Sequence, residues 1–447
     1  MDIFDAVQAR REELGVPGVA VGVLDVGVER HEGFGVTSVE NPLEVTPETR
    51  FQIGSITKTF TGTAVIELVA RGGLDLDRPV RAYVRDLKLS DPEATRRVTL
   101  RHLLSHTGGW VGDYFDDTGW GDDAAATYVE RMQALPQLTP VGELWSYNNA
   151  GFVLAGRAVE LITRRPFEDV VKELVLDPLE LASTTFWPWE VMTERFAVGH
   201  LGSEDDLRVA RPWPVGRSSH AAGGIVSTTP DLLRYARLHL DPPPALAPMQ
   251  EPQAPAEDEG EWVGLTWYGE DRFGTIRHGG GTNGQQSMLV LAPRRRFALA
   301  VLTNGSPGGQ QVIDAALDAA GLSAGLPERV DPPVDEYAGV YETAMSRVTL
   351  TPLEGGRLRV VSESLGGFPT KDSAPGPQLP PAEAFFYTPE RWIVDGGPLK
   401  GRRGHFIRGS GGVVEWLRFG GRLYRLLEFT GVRPRGSRAP SPSGSPR

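Results

Sequence analysis

Residues Phe51–Gly73 read FQIGSITKTFTGTAVIELVARGG, and the way this stretch must fold decides the rest of the chain. From Thr59 to Ala70 the residues are small or apolar all round apart from Glu67, which predicts a buried helix over 58–71. Gly72 and Gly73 supply its stop. Ser55 and Lys58 stand three apart at its head, so the hydroxyl and the amine share one face about a turn apart. Backbone N–H groups in a first turn have no intrahelical partner and carry the positive end of the helix dipole. A serine placed there has an amine beside it and an N–H able to bind an oxyanion. Taken alone the pair is a weak pattern, because a serine at a helix start is often only a cap. The chain has just five lysines, however, and Lys58 is the only one with a serine three residues before it.

At 447 residues the chain predicts two or three domains, and 40% hydrophobic residues can build a sizeable core. A net charge of −12 argues against a nucleic-acid partner and gives no basic patch for an anionic membrane. Arginine outnumbers lysine 41 to 5, which reads as genomic bias rather than function. With no cysteine there are no disulfides, thiol nucleophiles or thiolate metal sites. The start, MDIFDAVQARREELG, is an amphipathic helix with Asp2 and Asp5 early, and it lacks the basic-then-apolar order of a signal peptide. No run approaches the ~20 apolar residues of a membrane span. The expectation is a cytoplasmic protein, with its oligomeric state left open.

In chain order, Val16–Gly27 reads as a buried strand and Val28–Ser38 as its hairpin partner. Leu74–Val84 reads as a loop leading into a short helix. Helices are expected within Asp123–Leu135, Phe152–Thr163 and Asp231–Leu240, and Asp241–Glu261, with its PPP and acids, as a surface loop. Strands return at Gly274–His278, Gln286–Leu291 and Arg296–Thr303, and a helix over Gln310–Leu322 packs back onto them. The first and last parts of residues 1–325 therefore make one sheet with a helical region inserted between them. This is an α/β plus α arrangement whose natural cleft lies between the two regions. Pro327–Pro333 reads as a linker. Beyond it Tyr337–Val340, Arg347–Thr351, Arg357–Val361, Val413–Arg418 and Arg422–Phe429 alternate like strands of a small antiparallel barrel over 334–433. The tail over 434–447 is low-complexity and expected to be disordered.

Two further motifs stand beside Ser55 and Lys58. WSYNNAG places Tyr147 and Asn149 in a loop before a helix, and this tripeptide holds two of the chain's five asparagines. RHGGGTNG places His278 at the end of a strand with three glycines after it, where a ligand can approach the backbone closely. Each alone is most simply a turn. Together, in this order and spacing, they resemble the serine β-lactamase and penicillin-binding-protein superfamily, and most closely its class C-like branch with the family VIII esterases, D-aminopeptidases and DD-peptidases. TLRHLLSHTGGW (Thr99–Trp110), AAGGIVSTTPDLLRYA (Ala221–Ala236) and LAVLTNG (Leu299–Gly305) support the resemblance, which covers roughly residues 5–320.

That resemblance implies a β-lactamase/transpeptidase-like fold, an antiparallel sheet flanked by helices, as a serine hydrolase domain over 1–326. It also implies a lipocalin-like barrel after the linker at 327–333. Ser55 is then the nucleophile, Lys58 its activating amine and Tyr147 the proton shuttle. Asn149, His278 and Gly280 contact the substrate, and the N–H groups of Ser55 and Gly281 form the oxyanion hole. The implied substrate is a small ester, amide or D-amino-acid peptide, with no cofactor and no metal. His278 stands where β-lactamases carry a lysine, and being mostly neutral near pH 7 it attracts a substrate carboxylate less. This weakens the case for a dedicated β-lactamase, which remains the alternative beside a β-lactam or peptidoglycan binder that acylates and never turns over. His102 and His106 are spaced like two zinc ligands, but HLLSH lacks the glutamate of H-E-x-x-H. G-x-S-x-G, the mark of an α/β-hydrolase nucleophile, appears nowhere.

Overall fold

The computed structural model describes residues 1–202, 206–376 and 378–430. The tail expected to be disordered lies outside the described residues. The chain divides into two compact units, one of Met1–Ala324 with Pro369–Lys371 and one of Gly325–Phe368 with the chain from Asp372 on. Among the described residues no helix is long and apolar enough to cross a membrane.

The first unit is built on α1 (Ile3–Glu13), the hairpin β1 (Gly18–Asp25) and β2 (Val28–Gly35), α2 (Thr57–Ala70), α3 (Asn149–Thr163) and α4 (Thr229–Leu240). The chain then returns as β3 (Ala254–Pro255), β4 (Glu261–Val263), β5 (Tyr268–Glu270), β6 (Thr275–Thr282), β7 (Gln285–Ala292) and β8 (Phe297–Thr303), closing with α5 (Gly309–Ala319). The sheet runs β2-β1-β8-β7-β6-β5-β4-β3, with β1 and β8 paired antiparallel so that its first and last segments lie side by side.

Strand alternation divides the core in two. Val19, Val21 and Val23 of β1 and Leu299 and Val301 of β8 face one cluster, which α1 and α5 cover with Phe4, Val7, Val312 and Ile313. Ala20, Leu24, Ala298, Ala300 and Leu302 point the other way, into a larger cluster with Phe60 of α2, Leu233 and Tyr235 of α4 and Phe152 of α3. Both faces of the central strands are covered, which is why they read as unbroken apolar runs. Helix α2 lies inside the second cluster with 11 of its 14 residues buried. Its threonines still satisfy their hydroxyls: Thr59 donates to the Ile56 carbonyl at 2.8 Å and Thr61 to the Ala221 carbonyl at 2.7 Å. Gly72, at φ +73°, ends it in the left-handed region.

Two readings of the sequence are corrected here. Asp241–Glu261 is not only a loop, since β3 and β4 arise at its end and, with β5, widen the sheet to eight strands. Two- and three-residue strands such as Tyr268–Glu270 are too short to show alternation. Nor does the strand end at His278: β6 continues through Gly279, Gly280 and Gly281 to Thr282, pairing with β7 throughout, and the turn falls at Asn283 and Gly284.

The second unit is a closed antiparallel barrel of eight strands. These are β9 (Gly339–Glu342), β10 (Ser346–Leu353), β11 (Arg357–Ser364), β12 (Ala382–Phe386), β13 (Arg391–Val394), β14 (Arg403–Arg408), β15 (Val414–Phe419) and β16 (Arg422–Phe429). Tyr337, expected in a strand, sits in a short 3-10 turn just before β9. β12 to β14 were not foreseen; β9 closes the ring by pairing with β16. Tyr341, Leu358, Phe386, Trp392, Phe406 and Leu417 are among the side chains filling its interior, as eight strands leave a bore just wide enough for side chains.

Asn304, fully buried after β8, clamps the ends of the first hairpin. Its Oδ1 accepts from the Gly18 N–H at 2.6 Å, and its Nδ2 donates to the Val36 and Thr37 carbonyls at 3.1 Å each. Asn304→Ala strands several buried groups at once and should lower unfolding stability by roughly 2–4 kcal/mol, read by urea denaturation. A loss below ~0.5 kcal/mol would show that the clamp is redundant.

Candidate active site

Ser55 sits in a single 3-10 turn, Gly54–Ile56, immediately before α2 begins at Thr57. The expected helix-start serine is thus one turn earlier and tighter than a plain α-helical N-terminus. That turn is held from two sides. The Ile53 carbonyl accepts from Ser287 Oγ of β7 at 2.8 Å, and the Ile53 N–H donates to the Ile225 carbonyl at 3.0 Å. β6 passes the turn so closely that a Cβ on Gly280 would lie 1.9 Å from the Ile53 carbonyl oxygen, and one on Gly54 2.7 Å from the Gly281 nitrogen. The glycines are therefore required where backbone meets backbone.

Lys58 follows one turn after Ser55 and is wholly buried. Its Nζ lies 3.1 Å from Ser55 Oγ and donates to Asn149 Oδ1 at 2.7 Å and to the Ala222 carbonyl at 2.6 Å. Asn149 is the first residue of α3, capped by Asn148, whose Oδ1 accepts from the Gly151 N–H at 2.7 Å. Asn149 Nδ2 donates to Asp113 Oδ1 at 2.7 Å, which orients the amide with its oxygen toward Lys58. Ala222 lies on the short helix His220–Gly223, anchored where His220 Nδ1 meets the buried Glu168 at 2.7 Å. Two of the three Nζ positions therefore point at acceptors. Ser55 Oγ also lies within hydrogen-bond reach of Nζ, which carries three protons as an ammonium and two with a lone pair as an amine.

Lys58 Nζ also stands 4.8 Å from the ring centre of Tyr147 and 5.3 Å from that of Phe152. Tyr147 is buried in the loop ahead of α3, its ring centroid 6.4 Å from that of His278. His278 is buried within β6, and its Nδ1 meets the Gly279 carbonyl at 2.7 Å. Burial, with the Lys58 charge adding to it, pushes the His278 imidazole down to about 3. The sequence reading has His278 mostly neutral near pH 7, and burial carries that further, keeping the ring neutral well below pH 7. Ser55, Lys58, Tyr147, Asn149 and His278 thus gather in one place, with Gly280 and Gly281 against the Gly54–Ile56 turn.

Sequence reading missed Asp113, Ala222 and Ser287. Asp113 lies just past the quoted TLRHLLSHTGGW string without a motif of its own, and Ala222 acts through its backbone. His102 and His106, spaced like zinc ligands, turn to separate tasks. His102 Nδ1 closes a capping box with Thr99, and His106 contacts the Tyr147 loop. Among the described residues no group of acidic residues and histidines is placed to hold a metal ion.

The profile of the Beta-lactamase family matches residues 3–323. Penicillin-binding protein 4 of Amycolatopsis lactamdurans is 32% identical over 367 residues, covering 76% of this chain and 96% of its own. Among solved structures, SurE with D-Leu has a TM-score of 0.70 at 24% identity, covering 95% of this chain and 98% of that one. A class C beta lactamase from Rhodobacter sphaeroides has a TM-score of 0.60 at 23% identity, covering 72% and 99%. At these identities the structural likeness concerns the fold.

The buried histidines make stability depend on pH. His278 and His239 are each pushed to about 3 by burial, from an ordinary 6.5. Between those values the unfolded chain binds protons that the folded one refuses, so stability falls as pH drops below 6.5. From pH 6.5 to 5, His278 alone should remove on the order of 2 kcal/mol. Urea unfolding of wild type and His278→Asn at both pH values checks this: the variant should lose less on acidification, and equal losses would contradict a neutral buried His278.

Proposed function

This chain belongs to the beta-lactamase family, as the motifs around Ser55, Tyr147 and His278 lead one to expect, and we propose that it cleaves neutral esters or amides through an acyl-enzyme on Ser55. The observation that carries the reading is the buried Lys58, held by Asn149 and the Ala222 carbonyl with its remaining position toward Ser55 Oγ. A serine hydroxyl is a poor nucleophile until a base takes its proton. As an amine, Lys58 takes that proton directly; as an ammonium, it favours the phenolate of Tyr147, which takes it instead. The two titrations are coupled and belong to the pair.

In the first half-reaction Ser55 Oγ bonds to the substrate carbonyl carbon while its proton passes to the Lys58–Tyr147 pair. The Ser55 and Gly281 N–H groups receive the oxyanion. The scissile C–O or C–N bond then breaks, and the proton leaves with the alcohol or amine. In the second half-reaction water attacks the acyl ester, the pair accepts its proton and returns one to Ser55 Oγ, and the carboxylic acid departs. Asn149, His278 and Gly280 line the substrate's path. A neutral His278 offers no cation to a substrate carboxylate. The forgone charge-assisted hydrogen bond, about 1.5–3 kcal/mol, corresponds to roughly ten- to a hundred-fold in kcat/KM. The relative named as a penicillin-binding protein favours a second reading, in which a β-lactam acylates Ser55 and is not turned over.

One panel separates these: short-chain p-nitrophenyl esters, D-amino-acid amides and a chromogenic cephalosporin at pH 7.5. Neutral ester turnover should exceed cephalosporin turnover at least about ten-fold, and the opposite order would overturn the preference. Ser55→Ala should lose at least about a thousand-fold in kcat/KM with its melting temperature kept. Label from an activated ester should turn over on Ser55. Label that stays on Ser55 without release would favour the second reading.

A further inference from the structure

We propose that His106 is the positioning residue for Tyr147, setting the direction of its phenol; the proposal rests on the reading of Tyr147 as a proton-transfer group. His106 follows the helix Leu100–Leu104 and takes φ +59°, a left-handed conformation uncommon for a residue with a side chain. Such a conformation persists only where its surroundings over-determine it. Here the surroundings are the three consecutive residues Ser146, Tyr147 and Asn148.

The His106 carbonyl accepts from the Ser146 N–H at 3.0 Å, and its ring Nδ1 accepts from the Asn148 N–H at 3.0 Å. The N–H groups of the two residues flanking Tyr147 are thus tied to one residue. Between those ties the His106 ring stacks on the Tyr147 ring, centroids 4.5 Å apart and planes 30° apart. It also meets Phe152 at 5.1 Å, the second ring facing Lys58 Nζ. One residue therefore holds both flanks of Tyr147, its carbonyl taking the Ser146 N–H while its ring takes the Asn148 N–H and sets the tilt of the phenol ring. His106 is itself buried, at 1% exposure.

The plainer reading is a stacked histidine filling space. A filler needs neither an acceptor at Nδ1 nor a left-handed backbone, and it does not bracket a single neighbour from both sides. Phenol direction matters because a misplacement of ~1 Å at a reacting group costs on the order of a hundred-fold in rate.

Two variants divide the contributions. His106→Asn keeps an acceptor oxygen and tolerates positive φ but removes the stacking ring. His106→Phe keeps a ring but removes the acceptor. On the full chain with p-nitrophenyl butyrate, kcat should fall about ten-fold for Asn and further for Phe, with KM within about three-fold, since substrate contacts are untouched. The decisive measurement is the double variant His106→Asn with Tyr147→Phe. If His106 acts through Tyr147, the double variant matches Tyr147→Phe within about two-fold, because there is no phenol left to aim. Multiplied losses, or wild-type kcat in His106→Asn while Tyr147→Phe is impaired, overturn the positioning role alone. Wild-type kcat in Tyr147→Phe overturns the reading of Tyr147 and this inference with it. Rates are taken per mole of folded protein, and should His106→Phe fail to fold, His106→Asn and the double variant decide.

Discussion

A lysine with no exposed surface needs its hydrogens met by acceptors, because a desolvated amine or ammonium left unpaired is among the costliest groups a fold can bury. Lys58 meets this demand by drawing on three separate parts of the chain. Ser55 comes from its own preceding turn, Asn149 from the start of α3, and the Ala222 carbonyl from the short helix ahead of α4. Each of those groups is then secured by others. Asp113 holds the Asn149 amide, Asn148 caps α3, and Glu168 and Arg217 surround His220 at the head of the Ala222 helix. The helical region inserted into the sheet can be understood as the scaffold that delivers these partners to one point.

The same logic explains why glycine recurs where β6 meets the turn that carries Ser55. The turn Gly54–Ile56 must lie against the strand for its N–H groups and those of β6 to face a common space, and side chains would hold the two backbones apart. Gly280 and Gly54 occupy the points where a Cβ would strike backbone, whereas a Cβ on Gly281 would meet only Gln286, at 3.4 Å. The adjacent Gly280 and Gly281 thus meet different surroundings. A reading of GGG as a loose turn misses that all three stay within a paired strand that runs on to Thr282.

Much of the site was legible because its parts are local or rare. Ser55 and Lys58 are linked by helical spacing, Tyr147 and Asn149 by two residues, and asparagine and lysine are scarce enough that their placement carries weight. The central strands were legible for a different reason, since burial on both faces leaves an unbroken apolar run. What stayed hidden depends on the assembled fold. The Ala222 carbonyl has no side-chain signature, and how far the His278 imidazole is pushed down follows from burial beside Lys58. The edge strands Ala254–Pro255 and Glu261–Val263 exist only because β5 offers a ladder. In the barrel, Ala382–Phe386 and Arg391–Val394 carry charges and short alternation, and closure is a property of all eight strands together.

The choice of an amide at Asn149 bears on how the amine can change its proton. A carboxylate in hydrogen-bond contact with a buried lysine holds the ammonium form, since removing the proton would leave the anion uncompensated. An amide oxygen and a peptide carbonyl accept from ammonium and amine alike, so neither state leaves them stranded. Asp113 contributes orientation through Asn149 Nδ2, with the amide standing between carboxylate and amine. The His278 ring, neutral and tied to the Gly279 carbonyl, adds no second cation to compete for the same proton. A lysine set among acceptors that serve either of its forms can give up and regain a proton, which is the property that the proposed acyl-enzyme reaction in two proton-coupled halves requires.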